Sequence, residues 1–241
     1  MLLFVPLSAA AGKTFIEDGK LDIQKLRKNF GQIMKSTTSQ DGLNTCKAIQ
    51  TAMGIEPTET KSQDTTWLGK VKDCGLNLAD ENLGEKLKKR DISLYDLMET
   101  SSKWDGIARE LTTRMKVSFE TGFPALKRVY KEIQDINIAV VHTFLEILSK
   151  HPDTFIARKV GLEATNNVAE AVEIGMKKSR KVSSRADRIL QAGGLKTERG
   201  KEKLEKLDED LHKENGKLNP GTTADLTASS TMIAILDGLK Y

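Results

Sequence analysis

The sequence predicts an all-α protein, a single multi-helix domain over residues 1–241 with about nine to eleven helices. Three observations carry that prediction. Apolar residues recur three and four positions apart in most windows, which is the period of a helix with one buried face. Runs that alternate apolar and polar residues with the period of a strand are nearly absent. Helix punctuation recurs along the chain, with capping residues before the periodic runs and Gly or Pro after them.

Taken in order, residues 2–11 read as a buried helix. Their apolar start superficially resembles a signal peptide, but no basic residue precedes it and the run is short. Residues 21–34 place Leu21, Ile23, Leu26, Phe30 and Ile33 or Met34 on one face, opposite lysines and Arg27. Asp41-Gly42 opens a third helix, which passes Cys46 and Ile49 to Met53 and stops at Gly54. From 56 to 82 no period holds, and this irregular excursion carries Trp67, either pinned to the body or stacked on an adenine. Ser93 and Asp96 have capping-box spacing at the head of a short helix that ends near Ser101.

Asp105 and Arg109 lie four apart and share a helix face, where an exposed ion pair is the plain reading. Gly122-Phe123-Pro124 ends one helix and begins another. Asp135 caps a largely buried helix over 136–150 that carries His142, either a satisfied core or rim residue or a ligand. Pro152 breaks the chain, and the helix that starts at Asp153-Thr154 continues to about Ser179. The basic run 177–181 has no interleaved aromatic residue and reads as a solvated surface. Gly193-Gly194 closes the next helix, and the charged helix over 198–215 lays Leu204, Leu207 and Leu211 against the body.

Composition narrows the function classes. With 38% hydrophobic and 30% charged residues the chain is ordinary for a globular protein. A net charge of +4 over 241 residues is too slight to indicate nucleic acid by itself. A membrane span needs about 20 consecutive apolar residues, and none is present. Two cysteines, Cys46 and Cys74, are too few for a disulfide framework or a metal cluster, which fits a reducing, cytoplasmic setting. Neither an internal repeat nor a common glycine-rich phosphate loop occurs.

The chemistry concentrates near the C-terminus. In Asn219-Pro220-Gly221-Thr222-Thr223-Ala224-Asp225, Pro and Gly stop the preceding chain, and two hydroxyls and a carboxylate then sit at the mouth of an apolar helix. Free N–H groups and the positive end of the helix dipole favour a phosphate there. The alternative is a capped surface helix, with Thr222 or Thr223 as the N-cap and Asp225 as dipole partner. Asp153-Thr154 repeats the arrangement, with Arg158 and Lys159 one turn in. Two helix mouths, a guanidinium and an ammonium suit a polyphosphate, although a solvated face explains the two cations equally well.

The stretch from Asn219 to Ala228 resembles the C-terminal signature of the triphosphoribosyl-dephospho-CoA synthase family. Val141-His142-Thr143-Phe144-Leu145, continuing through His151-Pro152-Asp153-Thr154 to Arg158, Lys159 and Gly161, is similar to that family's other well-marked segment. The region from Trp104 to Pro124 also looks like part of it. The resemblance implies transfer of the triphosphoribosyl group of ATP to the 2′-hydroxyl of 3′-dephospho-CoA, with ATP as substrate and Mg²⁺ inferred to neutralise its triphosphate. On this basis Asp153, Asp225 and His142 are the candidates for proton transfer, and Asp225 and Asp153 for the metal. Asp105, Arg109, Thr154, Arg158, Lys159, Asn219, Gly221, Thr222 and Thr223 are the candidates for binding the nucleotide and its phosphates. In that family a segment like residues 2–11 follows an N-terminal portion with a lysine-proline-glycine motif. The resemblance therefore implies a truncated start, a homodimer or partner chain that covers the missing helices, or a departure from the family's chemistry. The alternatives are a related helical transferase acting on another phosphorylated coenzyme intermediate, and a non-catalytic or partner-dependent subunit.

Overall fold

The computed structural model describes residues 2–54, 56, 78–213 and 216–240. Among these it contains twelve α-helices and no strand, an all-α fold with one helix more than the upper end of the expected number. In chain order they are α1 (Phe4–Asp18), α2 (Ile23–Lys35), α3 (Ser39–Met53), α4 (Leu83–Lys89), α5 (Leu94–Ser101) and α6 (Gly106–Thr112). A π-helical turn (Ser118–Gly122) leads into α7 (Phe123–Ile133), followed by α8 (Ile136–Lys150), α9 (Thr154–Gly161) and α10 (Val168–Gln191). A 3₁₀ turn (Gly194–Lys196), α11 (Glu198–His212) and α12 (Gly221–Leu236) complete the chain. Most of the 56–82 excursion, with Trp67 and Cys74, lies outside the described residues.

The capping chemistry expected at Ser93 and Asp135 is present. Ser93 and Asp96 form a reciprocal capping box on α5, and Asp135 accepts from the N–H groups of Asn137 and Ile138 at the start of α8. Other boundaries differ for identifiable reasons. The third helix starts before Asp41 because Thr38 caps it, with Asp41 as the reciprocal acidic partner two positions inside the helix. Residues 2–11 are only half buried. Leu7, Ala10, Ala11 and Thr14 face the core, whereas Val5, Phe15 and Ile16 are exposed.

As expected, one helical element ends at Gly122 and the next, α7, begins at Phe123 with Pro124 in its first turn, although the first is a π-helical turn and the chain does not break between them. The Gly122 backbone stays helical, and the glycine is required because a Cβ there would lie 2.0 Å from Ser230 Oγ on α12. The helix expected over 154–179 is two helices. α9 stops at Gly161, and Asn167 caps α10 by accepting from Ala169 and Glu170. The two pack so closely that a Cβ on Gly161 would meet the Ala171 carbonyl at 1.8 Å and one on Gly175 the Ala157 carbonyl at 1.9 Å. The basic run 177–181 falls within α10, with Arg180 and Lys181 exposed and Ser179 buried.

The largest apolar core joins α1, α2, α5 and α6 through Leu7, Leu26, Phe30, Leu97, Met98 and Leu111, each essentially inaccessible. A second core lies between α8, α10 and α11, built on Leu145, Leu148, Val182, Ile189 and Leu207. α9 contributes Ile156 to the second core and α12 contributes Leu226 and Ile233 to the first, and the first turns of both meet that of α6. This meeting of three helix starts is the feature that organises the site.

Candidate functional site

Gly106, Thr154 and Thr222 occupy the first residues or first turn of α6, α9 and α12. The N–H of Gly106 donates to Thr154 Oγ1 at 3.0 Å, and the Oγ1 atoms of Thr154 and Thr222 lie 3.2 Å apart. A Cβ on residue 106 would reach Thr222 Cγ2 at 2.7 Å and Thr154 Oγ1 at 3.1 Å, so only glycine lets the three helices approach this closely. Asp153 fixes the arrangement from below. Its Oδ1 accepts from the N–H groups of Phe155 and Ile156, and its Oδ2 accepts from Thr223 N and Thr223 Oγ1, each at 2.7 Å. One carboxylate therefore caps α9 and anchors α12. Its backbone carbonyl is held in turn by Ser179 Oγ of α10 at 2.8 Å. Burial pushes the Asp153 carboxyl up, against the opposing pull of these donors.

The N-cap of α12 is Pro220, without a side-chain cap bond, so neither Thr222 nor Thr223 serves as N-cap. Both hydroxyls are instead committed to partners on α9. This is a correction of the capped-surface-helix alternative: the mouth of α12 is buried against α9, with Thr222 and Thr223 both buried.

Two cavities flank the threonine pair, and Thr154 and Thr222 line both. The larger, of about 810 Å³, brings together Asp105, Thr154, Arg158, Lys159, Gly221, Thr222 and Asp225, with Trp104 and Phe155 among its walls. Seven of the twelve residues singled out from the sequence thus share one space. Arg158 and Lys159 both lie over the Phe155 ring, at 4.9 and 4.3 Å from its centroid, and Lys159 Nζ also donates to the carbonyl of Gly216 at 3.0 Å. The ring is pinned by Gly221, where a Cβ would meet it at 2.8 Å. Although Asp225 keeps more than a third of its surface open, partial burial and the neighbouring Asp105 carboxylate push its carboxyl up.

The smaller cavity, of about 270 Å³, is lined by Arg109, Lys116, Thr121, His151, Glu110 and Glu120 beside the same threonines. Arg109 forms no ion pair with Asp105. Asp105 caps α6 by accepting from Ala108 N, and Arg109 donates to the carbonyls of Ser102 and Lys103. An N-cap carboxylate is aimed at its own helix's N–H groups, which is why the four-residue spacing produced no pair.

Three predicted residues lie away from both cavities. His142 is buried, and its Nε2 accepts from Leu195 N at 2.9 Å, packed against Gly194. Asn219 is exposed, and its carbonyl accepts from Gly221 N. Asp153 lines neither cavity, because both its oxygens point at protein donors. Sequence reasoning missed the junction role of Gly106, the cavity residues His151, Lys116 and Thr121, and the buried Glu110. The Glu110 carboxylate accepts from Val117 N, Ser118 N and Ser118 Oγ, stitching α6 to the π turn. Its only local signal was its place beside Leu111 in a short helix that also carries Arg109 and Thr112, which does not mark it as buried. Among the described residues no three His, Cys, Asp or Glu side chains converge on a metal position, and no helix is long and apolar enough to cross a membrane.

A family model described as ATP:dephospho-CoA triphosphoribosyl transferase matches residues 1–241. The 2-(5″-triphosphoribosyl)-3′-dephosphocoenzyme-A synthase of Klebsiella pneumoniae is 26% identical over 145 residues, 60% of this chain and 41% of that protein. A protein of Salmonella gallinarum assigned the same activity is 30% identical over 105 residues, 44% of this chain and 30% of its own length. The chain thus spans less than half the length of these curated relatives. A crystal structure assigned to a triphosphoribosyl-dephospho-CoA synthase from Archaeoglobus fulgidus superposes with a TM-score of 0.67 at 25% identity, covering 99% of this chain and 82% of that one. With the model matched along its whole length and the fold shared, the chain belongs to the ATP:dephospho-CoA triphosphoribosyl transferase family.

Proposed function

We propose that the chain transfers the triphosphoribosyl group of ATP to the 2′-hydroxyl of 3′-dephospho-CoA and releases adenine. The observation that carries this reading is the large cavity, where two cations and two carboxylates meet at the mouth of α12. In the reaction, the bond from the ribose anomeric carbon to adenine breaks and one to the acceptor oxygen forms. The hydroxyl proton leaves to a base, and the departing adenine takes up a proton. Such a displacement needs the triphosphate held fast and negative charge near an oxocarbenium-like centre.

Arg158 and Lys159, preset by their contact with Phe155, are suited to the phosphates, with Arg158 as a planar fork and Lys159 as a compact charge. Asp105 and Asp225 supply the negative charge. Asp225, with its raised proton affinity, is the better placed of the two to accept the hydroxyl proton. Asp153 and His142 act as positioning residues, since the lone pairs each would need are engaged by protein N–H groups. Mg²⁺ fits the cavity as an ion that takes one or two carboxylates and completes its shell with phosphate oxygens and water, Asp225 and Asp105 being the carboxylates available. When bound, it would neutralise phosphate charge.

The test is calorimetric titration of the chain with ATP and Mg²⁺, then with Thr222, Thr223 and Asp225 changed to Ala, and separately with Arg158→Ala/Lys159→Ala. Loss of charge-assisted contacts should weaken ATP at least about tenfold in the cation variant. Adenine release on adding dephospho-CoA, measured by chromatography, would then identify the acceptor. Well-folded protein that binds no ATP would defeat the reading for this chain alone.

A second reading has its own support. Val5, Phe15 and Ile16 expose 65%, 59% and 85% of their surface on α1, an apolar face suited to a homodimer contact or a partner chain that completes the active unit. A related transferase for another phosphorylated coenzyme intermediate would use the same cavity, and adenine release with alternative acceptors separates the two. Either activity, on small phosphorylated substrates, fits a cytoplasmic location.

A further inference from the structure

We propose that the smaller cavity is a second anion site, one that takes a phosphate group on His151, Arg109 and Lys116. It adjoins the large cavity at Thr154 and Thr222 and has its own set of cationic side chains.

The cavity holds two carboxylates, and both are already committed. Glu110 is 1% exposed and spends its oxygens on Val117 and Ser118, while Glu120 pairs with Arg27 at 2.7 Å. Of the other titratable side chains lining the space, Arg109 and Lys116 are cationic and His151 can become so. Arg109 from α6 turns two nitrogens onto carbonyls, which fixes the guanidinium plane at the rim. Lys116, exposed between α6 and the π turn, completes the cationic side.

His151 closes the cavity at the end of α8, with Nε2 3.3 Å from Thr121 Oγ1. Burial first, and then the positive charges of Lys150, Arg109 and Lys116, hold the His151 imidazole below its usual proton affinity, so the neutral ring is favoured even with Glu110 and Glu120 in the same lining. A phosphate would reverse that balance by accepting from the imidazolium, the guanidinium and the ammonium at once. A volume of about 270 Å³ admits a phosphate or diphosphate and is too small for a whole nucleotide. The wall shared with the large cavity is only the Thr154–Thr222 hydroxyl pair, so the group could be a free phosphate or the far end of a polyphosphate that passes beside that pair.

The chain has three histidines, so the imidazole proton signals can be followed individually by NMR over a pH series. His151→Gln assigns one signal by its disappearance. Inorganic phosphate, tripolyphosphate and ATP are each compared with sodium chloride at equal ionic strength. The expected result is an upward move of about one pH unit in the His151 midpoint, with the other two signals unmoved. A response to inorganic phosphate identifies a single-phosphate site, and a response to tripolyphosphate or ATP alone identifies the end of a polyphosphate. Lys116→Ala, at an exposed position, should keep the fold and weaken the response about tenfold. A His151 midpoint that none of the three anions moves, or that chloride moves equally, would overturn the proposal.

Discussion

Asp153 holds Thr223, seventy residues further along the chain, by both its backbone N–H and its hydroxyl, each 2.7 Å from the same carboxylate oxygen. The other oxygen caps the helix to which Asp153 itself belongs. This one side chain ties the start of α9 to the start of α12, beside the large cavity that both helices line.

Asp153→Ala should therefore leave the N–H groups of Phe155, Ile156 and Thr223 and the Thr223 hydroxyl without this acceptor and cost about 3–5 kcal/mol of stability. Asp153→Asn should lose a comparable amount, because an amide nitrogen cannot accept from Thr223 while the amide oxygen serves α9. Urea denaturation followed by circular dichroism measures both. A loss below about 1 kcal/mol would mean that the link is not structural.

His142 predicts a pH dependence. Its Nε2 accepts from Leu195 N, a bond that needs the neutral ring, and burial holds its pKa below the usual 6.5. The unfolded chain then binds more protons than the native one just below pH 6.5, so stability rises with pH through that window and is lost as pH falls. Denaturation curves from pH 7.5 down to pH 5 should show the decline, and His142→Gln should flatten its share of it. A variant that declines as steeply as the parent would remove His142 from this account.

Two glycines should respond to alanine with opposite signs. Gly12 lies inside α1 with open space around it, so Gly12→Ala should stabilise by about 0.4–1 kcal/mol through the unfolded chain and helix propensity. Gly161 faces the Ala171 carbonyl, where a Cβ would sit at 1.8 Å, so Gly161→Ala must separate α9 from α10 and should cost about 1–3 kcal/mol or more. Thermal melts of the two variants side by side make the comparison. Equal shifts would contradict the close helix crossing.

The sequence made the helical class legible because period and capping are local properties, as Ser93, Asp135 and Gly54 show. It also singled out seven of the residues that line the large cavity, since hydroxyls and a carboxylate after Pro-Gly mark a helix mouth wherever it points. What it could not reveal was direction. Asp105 and Arg109 have the spacing of a pair, yet one caps its helix and the other turns to carbonyls of the preceding segment. The break after Gly161 was hidden because α9 and α10 are both apolar on one side, and their antiparallel packing leaves no trace in a one-dimensional period. Gly106 and His151 acquire their importance only from neighbours 48 and 30 positions away.

Those separations bear on how the protein acquires its site. The threonine pair spans 68 residues of chain, and the Asp153 link spans 70. Contacts this distant in sequence carry a large loop-closure entropy and form after the local helices. During synthesis, N-terminus first, the walls contributed by α6 and α9 are made well before α12, which supplies the remaining wall. Ligand-binding capacity should therefore arrive in a single late step, and a folding intermediate lacking a docked α12 would be helical, compact and inert.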